Sequence, residues 1–169
     1  MSDKVLIIMG SDSDLPIMKK ATDVLEQFGV SYKVVVSSAH RVPERTAIYA
    51  REAENSGVEV IIAAAGLAAH LPGVVASHTT LPVIGVPIGG GPLKGIDALY
   101  SIVQMPSGIP VACMAIDGAK NAALYAIQIL ALKEEALSTK LKQYRAEMAS
   151  EVEQKDIRLA ELGVDEYLK

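Results

Sequence analysis

Lys4 to Pro16 read KVLIIMGSDSDLP, an apolar run that stops at a glycine and gives way to alternating serines and aspartates before a proline. The run is too short for a helix of ordinary length, and it is apolar at every position instead of every second one. Such a segment is expected to be a strand buried on both faces, as in a parallel sheet held between two helical layers. The same signature returns in YKVVVS from Tyr32, EVIIAAA from Glu59, LPVIGV from Leu81 and PVACMAI from Pro110. Between the first two runs, Met18, Ala21, Leu25 and Phe28 share one helical stripe, and Gly29 follows as its stop. Between the second and third, a helix should begin at Pro43 and end before Gly57, because proline fits a first turn and glycine a C-terminal cap. This alternation predicts a doubly wound α/β sheet with right-handed crossovers, whose ligands bind beyond the carboxyl ends of the strands. Function should therefore lie in the loops that follow each strand.

The 169 residues suit a single domain over 1–169, with its core at about 4–132. Tryptophan is absent and Phe28 is the one phenylalanine, so the core must be built from Ala, Val, Ile and Leu. No apolar run approaches the roughly 20 residues that span a bilayer. The opening MSDKVLIIMGSDSD has no signal-peptide cleavage pattern, so the expected compartment is the cytoplasm and no membrane partner is expected. Cys113, within VACMAI, is the single cysteine and is expected to be a buried thiol, not a nucleophile. A formal charge of −4 without a basic run argues against a nucleic-acid partner, so any anionic ligand must be held locally. Beyond ILAL the composition changes. Residues 133–162 are charged, with Leu137, Leu141, Tyr144 and Met148 on one stripe, and should form a long amphipathic helix that packs on a neighbouring subunit or lies as an exposed flap.

Each strand-end loop offers particular chemistry. After the first strand, Gly10 should give a tight turn, and Ser11, Asp12, Ser13 and Asp14 sit where a helix N-terminus gathers N–H groups able to hold an anion or polar hydroxyls. A carboxylate there suits sugar hydroxyls or an amine better than a phosphate, and Asp14 could equally cap the helix. After the second strand come Ser38, His40 and Arg41 ahead of Pro43. An imidazole is the side chain that changes charge near neutral pH, whereas a guanidinium stays charged and grips phosphate with two N–H groups. A proton carrier beside an anion clamp suits a small phosphorylated substrate.

The third strand runs into AAAGLAAHLPGVVASHT, where side chains nearly vanish from Ala63 to Ala69. Small residues let the backbone approach a ligand, and they equally let subunits or layers pack closely. His70 and His78 have no acidic or cysteine partner at ligand spacing, so no metal site is expected and both are taken as structural or capping residues. The fourth strand opens into PIGGGPLKGID, which is not a P-loop, because Ile96 stands where the lysine must be. Gly89, Gly90 and Gly91 suggest a mobile or closely packed loop, with Asp97 in the first turn of the next helix.

Taken together, MGSDSDLP, SSAHRVPER, AAHLPGVVA, LPVIGVP, GIDALYSIVQMPSGIPV and NAALYAIQIL resemble the N5-carboxyaminoimidazole ribonucleotide mutases of purine biosynthesis, the class I PurE family, in motif order from Val5 to Leu132. The resemblance implies a flavodoxin-like three-layer α/β/α sandwich and a homo-octamer with active sites at subunit contacts. It implies a ribonucleotide substrate whose carboxylate moves from nitrogen to ring carbon without metal, ATP or organic cofactor. It makes His40 the catalytic acid and base, and places Ser11, Ser13, Asp14, Ser38, Arg41, Gly66 and Leu71 around the substrate. Within that set Arg41 and Ser11 are expected on the phosphate and Asp14 on the ribose. Leu67 stands where many members of the family have a second glycine, and GGGPLKGID replaces a more usual polar loop.

Two other functions remain to be separated from this one. One is the related carboxylase, which adds free CO2 to the ring carbon; members of that branch typically carry lysine at the place of Arg41 and lack AAHLPG. The other is a flavodoxin-like protein that binds a flavin or nucleotide without chemistry, against which no aromatic residue stands near the strand-end loops.

Overall fold

A computed structural model describes residues 2–169. The chain divides into two compact units, one ending at Leu130 and the other Ala131–Lys169. The first is a flavodoxin-like α/β layer fold. Its strands are β1 (Val5–Met9), β2 (Tyr32–Val36), β3 (Val60–Gly66), β4 (Val83–Ile88) and β5 (Ala112–Cys113). They pair in the order β2-β1-β3-β4-β5, all parallel.

The helices of this unit are α1 (Leu15–Phe28), α2 (Pro43–Glu52), α3 (Leu71–Ala76), α4 (Ile96–Val103) and α5 (Ala119–Leu130). Successive side chains of a strand point to opposite faces. Leu6, Ile8, Ile61 and Ala63 therefore share one face, packed with Ala50 of α2, Val75 of α3 and Ala98 and Ile102 of α4. Helices α1 and α5 pack against each other, with Met18, Ala21, Leu25 and Phe28 all buried as their spacing predicts. Small residues set how close the layers come: a Cβ on Gly85 of β4 would lie 2.4 Å from Ile102 Cγ2 of α4.

The punctuation acts where expected. Gly29 ends α1 in the left-handed region at φ 72°, and after α2 a 3-10 turn (Glu54–Ser56) stops at Gly57, φ 89°. Three local expectations are corrected. β2 is an edge strand whose residues are half-buried or, at Lys33 and Val36, exposed, because one of its sides has no neighbouring strand. β5 shrinks to two residues at the opposite edge, which leaves Cys113 half-buried instead of buried. Its Sγ lies 3.4 Å from the Met114 carbonyl, and desolvation pushes the thiol's pKa upward, away from thiolate character. Gly10 has no positive φ, and a Cβ there would meet nothing within 4 Å, so the first loop does not turn on glycine's conformational freedom.

The second unit is α6 (Glu135–Tyr167), broken at Gly163 where φ is 70° and ψ 166°. Of the expected stripe, Leu137 is buried, Leu141 and Tyr144 are half-buried and Met148 is exposed. Among the described residues no helix is long and apolar enough to cross a membrane.

Candidate active site

Parallel pairing brings the carboxyl ends of β1 to β4 to one edge. Met9 is level with Val36 and with Ala64, and Gly66 is level with Ile88. The ladder continues into the loops through Ser37 N–H to Met9 O (2.8 Å) and Gly10 N–H to Ala64 O (3.3 Å). A cavity of about 670 Å³ opens there, lined by the loops after the first four strands.

The loop after β1 is held by its own hydroxyls. Ser11 caps a 3-10 turn (Asp12–Asp14), its Oγ accepting from Ser13 N–H (3.3 Å) and Ser13 Oγ (2.8 Å). Asp14 stands next, 8% exposed and without a side-chain bond to α1, so it is not the helix cap it could have been. Desolvation raises the Asp14 pKa; bonds from the Ser13 side chain and Ser11 backbone oppose the shift, and the charge of Asp12 adds to it. A carboxylate desolvated without a neighbouring cation is held at a cost in stability.

The sign of that cost can be tested. With its folded pKa raised, the native state holds the Asp14 proton more tightly than the unfolded chain, so stability falls as pH rises from the ordinary carboxylate value, 3.8, through the raised folded value. Asp14→Asn should remove this slope and melt above wild type at neutral pH. Melting curves across the acid range check it, and an unchanged or lower neutral melting point contradicts it.

The loop after β2 is a tight turn. Ser38 Oγ accepts Arg41 N–H (3.3 Å) and Ser38 O accepts Val42 N–H (2.9 Å), while buried Ser37 bonds Thr46 of α2 at 2.9 Å. Proline at the start of α2 fixes the exit. His40 and Arg41 are thereby turned outward into the cavity, and Arg41 Nη2 donates to Gly10 O at 3.0 Å. One arm of the guanidinium ties the second loop to the first and leaves its remaining N–H groups for an anion.

The loop after β3 corrects the expectation for His70. It occupies the N-cap position of α3, but its side chain makes no capping bond. Instead His70 Nδ1 lies 3.0 Å from His40 Nε2, with ring centroids 5.0 Å apart and planes at 77°. Metal-ligand spacing does not single it out; its place just past the third strand, equivalent to that of His40 past the second, was the available signal. His78 lies away from the cavity, its backbone N–H bonded to Val75 O at the end of α3.

Asp117, after β5, was also missed. Its carboxylate accepts Gly89 N–H at 2.7 Å and its own N–H donates to Pro87 O at 2.8 Å, with the residue in the left-handed region at φ 59°. It fixes the start of the glycine loop from behind the cavity wall. An Asp-Gly pair directly after a strand was the only trace of this in the sequence.

All eight residues named from the sequence line this one cavity: Ser11, Ser13 and Asp14 from the first loop, Ser38, His40 and Arg41 from the second, Gly66 and Leu71 from the third. The sequence profile of the family described as AIR carboxylase matches residues 4–151. The chain belongs to the AIR carboxylase family. Among members of that family, it is 60% identical over 162 residues to the N5-carboxyaminoimidazole ribonucleotide mutase of Pyrococcus horikoshii, covering 96% of this chain and 92% of the relative. It is 55% identical to the mutase of Thermotoga maritima, with 98% and 96% covered. The phosphoribosylaminoimidazole carboxylase of Candida albicans is 53% identical, but the match takes in 29% of that longer protein. The crystal structure of Treponema denticola PurE superposes with a TM-score of 0.84 at 31% identity, covering 92% of this chain and 97% of that one.

Proposed function

We infer that the chain is an N5-carboxyaminoimidazole ribonucleotide mutase of purine biosynthesis, an isomerase that forms 4-carboxy-5-aminoimidazole ribonucleotide. The observation that carries this reading is the meeting of a histidine pair with an anion clamp in one cavity, in a chain 60% identical to a curated mutase along nearly its whole length. Arg41 grips the ribotide phosphate with Ser11, supported by Ser13 and the Ser38 turn, and Asp14 accepts from the ribose hydroxyls. Gly66 and Leu71 bring backbone against the aminoimidazole.

The chemistry then needs one proton carrier. The N–C bond of the carbamate breaks, its electron pair stays on nitrogen, and a proton from His40 neutralises that nitrogen as CO2 departs. The ring carbon attacks CO2, forming the new C–C bond, and its hydrogen returns to His40 as a proton. No proton or electron is gained or lost overall, so the cycle closes on one imidazole in two successive roles. At 3.0 Å from His70, only one hydrogen fits between the facing nitrogens, so one ring donates and the other accepts. His70 thus orients His40 towards the substrate.

We propose further that the enzyme is cytoplasmic, works without a resident cofactor and assembles as a homo-octamer. Supporting assembly, Ile96, Tyr100 and Val103 leave one side of α4 at least half exposed, and Met148 and Val152, one turn apart, do the same on α6.

Carbon labelling separates mutase from carboxylase. Given carbamate-labelled substrate in bicarbonate-depleted buffer, with chelator and no ATP, the protein should form the 4-carboxylated product, and most label should reach product even when unlabelled bicarbonate is added. Product formed only from aminoimidazole ribotide plus CO2, or carrying mainly unlabelled carboxylate, would make it a carboxylase.

A further inference from the structure

Leu67 is held at φ 52°, in the left-handed region where a Cβ crowds the backbone, and it is 54% exposed, so core burial does not explain why a leucine stands there. Its contact lies across the cavity. Leu67 Cδ2 is 2.5 Å from where a Cβ on Gly91 would stand, and Gly91 is itself left-handed at φ 61°. The two residues line the cavity from different loops, Leu67 after β3 and Gly91 after β4. The Gly91 side is well anchored, since Asp117 holds Gly89 N–H and the loop returns so closely that a Cβ on Gly95 would lie 2.9 Å from Gly89 Cα. A strained residue braced against a fixed wall is an observation from which function can be inferred.

We propose that Leu67 is a retention residue, whose side chain bridges the third and fourth loops and sets how much released CO2 reaches the ring carbon before it escapes. The proposal rests on the mutase activity inferred above. CO2 is small, uncharged and a poor hydrogen-bond partner, so neither Arg41 nor the histidines can hold it; only shape and apolar contact can. Escape leaves aminoimidazole ribotide carrying the proton from His40, which solvent replaces, while the CO2 hydrates to bicarbonate. A glycine at this place would adopt the same backbone without strain but would leave the gap open.

The full-length enzyme, given carbamate-labelled substrate with unlabelled bicarbonate present, tests this through partition, whatever the overall rate. Leu67→Gly should lose label to bicarbonate and release decarboxylated ribotide about tenfold more than wild type, the scale of one lost apolar contact in a pocket. Leu67→Ala, which keeps the Cβ but not the reach to Gly91, should leak likewise, and Leu67→Met, of similar volume, should restore retention. A general loss of folding would not sort these three variants by reach. Wild type that retains label while Leu67→Gly and Leu67→Ala retain it equally well overturns the retention role alone. Wild type that never converts the carbamate overturns the activity, and the retention role with it.

Discussion

Replacing His40 by asparagine should leave a folded protein that still binds the ribotide but turns it over about 100- to 10,000-fold more slowly, the range by which a positioned acid–base group accelerates proton transfer. Asparagine can keep a hydrogen bond towards His70, which lies 3.0 Å from the native ring, but it cannot give and take a proton at neutral pH. Binding should survive, because the groups assigned to the ribotide, Ser11, Asp14 and Arg41, come from positions the substitution does not touch. Stability should survive too, since His40 is exposed. Single-turnover conversion of the carbamate, read beside ribotide affinity by calorimetry, separates the two effects. Turnover within about tenfold of wild type would end the assignment.

Arg41→Ala should act on the other side of that division, weakening ribotide binding about 10- to 150-fold, the worth of a hydrogen bond to a charged group. Two losses combine in it. The charge-assisted grip on phosphate goes, and so does the Nη2 bond to Gly10 O at 3.0 Å that ties the second loop to the first. The corresponding nucleoside, lacking phosphate, distinguishes them: its affinity should change little if the phosphate grip dominates. Equal losses for ribotide and nucleoside would make Arg41 a brace between loops and not a phosphate clamp. Arg41→Lys should recover only part of the affinity, because an ammonium keeps the charge without the planar fork.

How much of this was legible in advance follows from the range over which each signal acts. Apolar runs such as VLIIM, the stripe from Met18 to Phe28 and the stops at Gly29 and Gly57 are local patterns, and local backbone preference together with burial is enough to make them strands, helices and ends. Parallel pairing, inferred from strands apolar at every position, then dictates that all strand-end loops share one edge, so the first two loops could be named as a candidate site from letters alone, while Gly66 and Leu71 of the third came in only through the family resemblance. Where that local logic meets the sheet's edges it falters: β2 and β5 carry the same apolar letters as central strands, yet they lie half open because nothing in a run of residues states how many neighbours it will have.

The contacts across the cavity were beyond the sequence for a related reason. His40 and His70 are 30 residues apart, and they touch because the order β2-β1-β3 seats their strands on either side of β1, so both loops lean over Gly10. The reach of Asp117 to Gly89 and of Leu67 to Gly91 likewise depends on strand order and on the exact path of the loops. By itself the sequence determined which elements form, that their loops converge, and which first- and second-loop residues gather there. Only the tertiary structure decided which of those side chains lie within bonding distance, because such a distance belongs to the packing of several elements at once and is written in none of them singly.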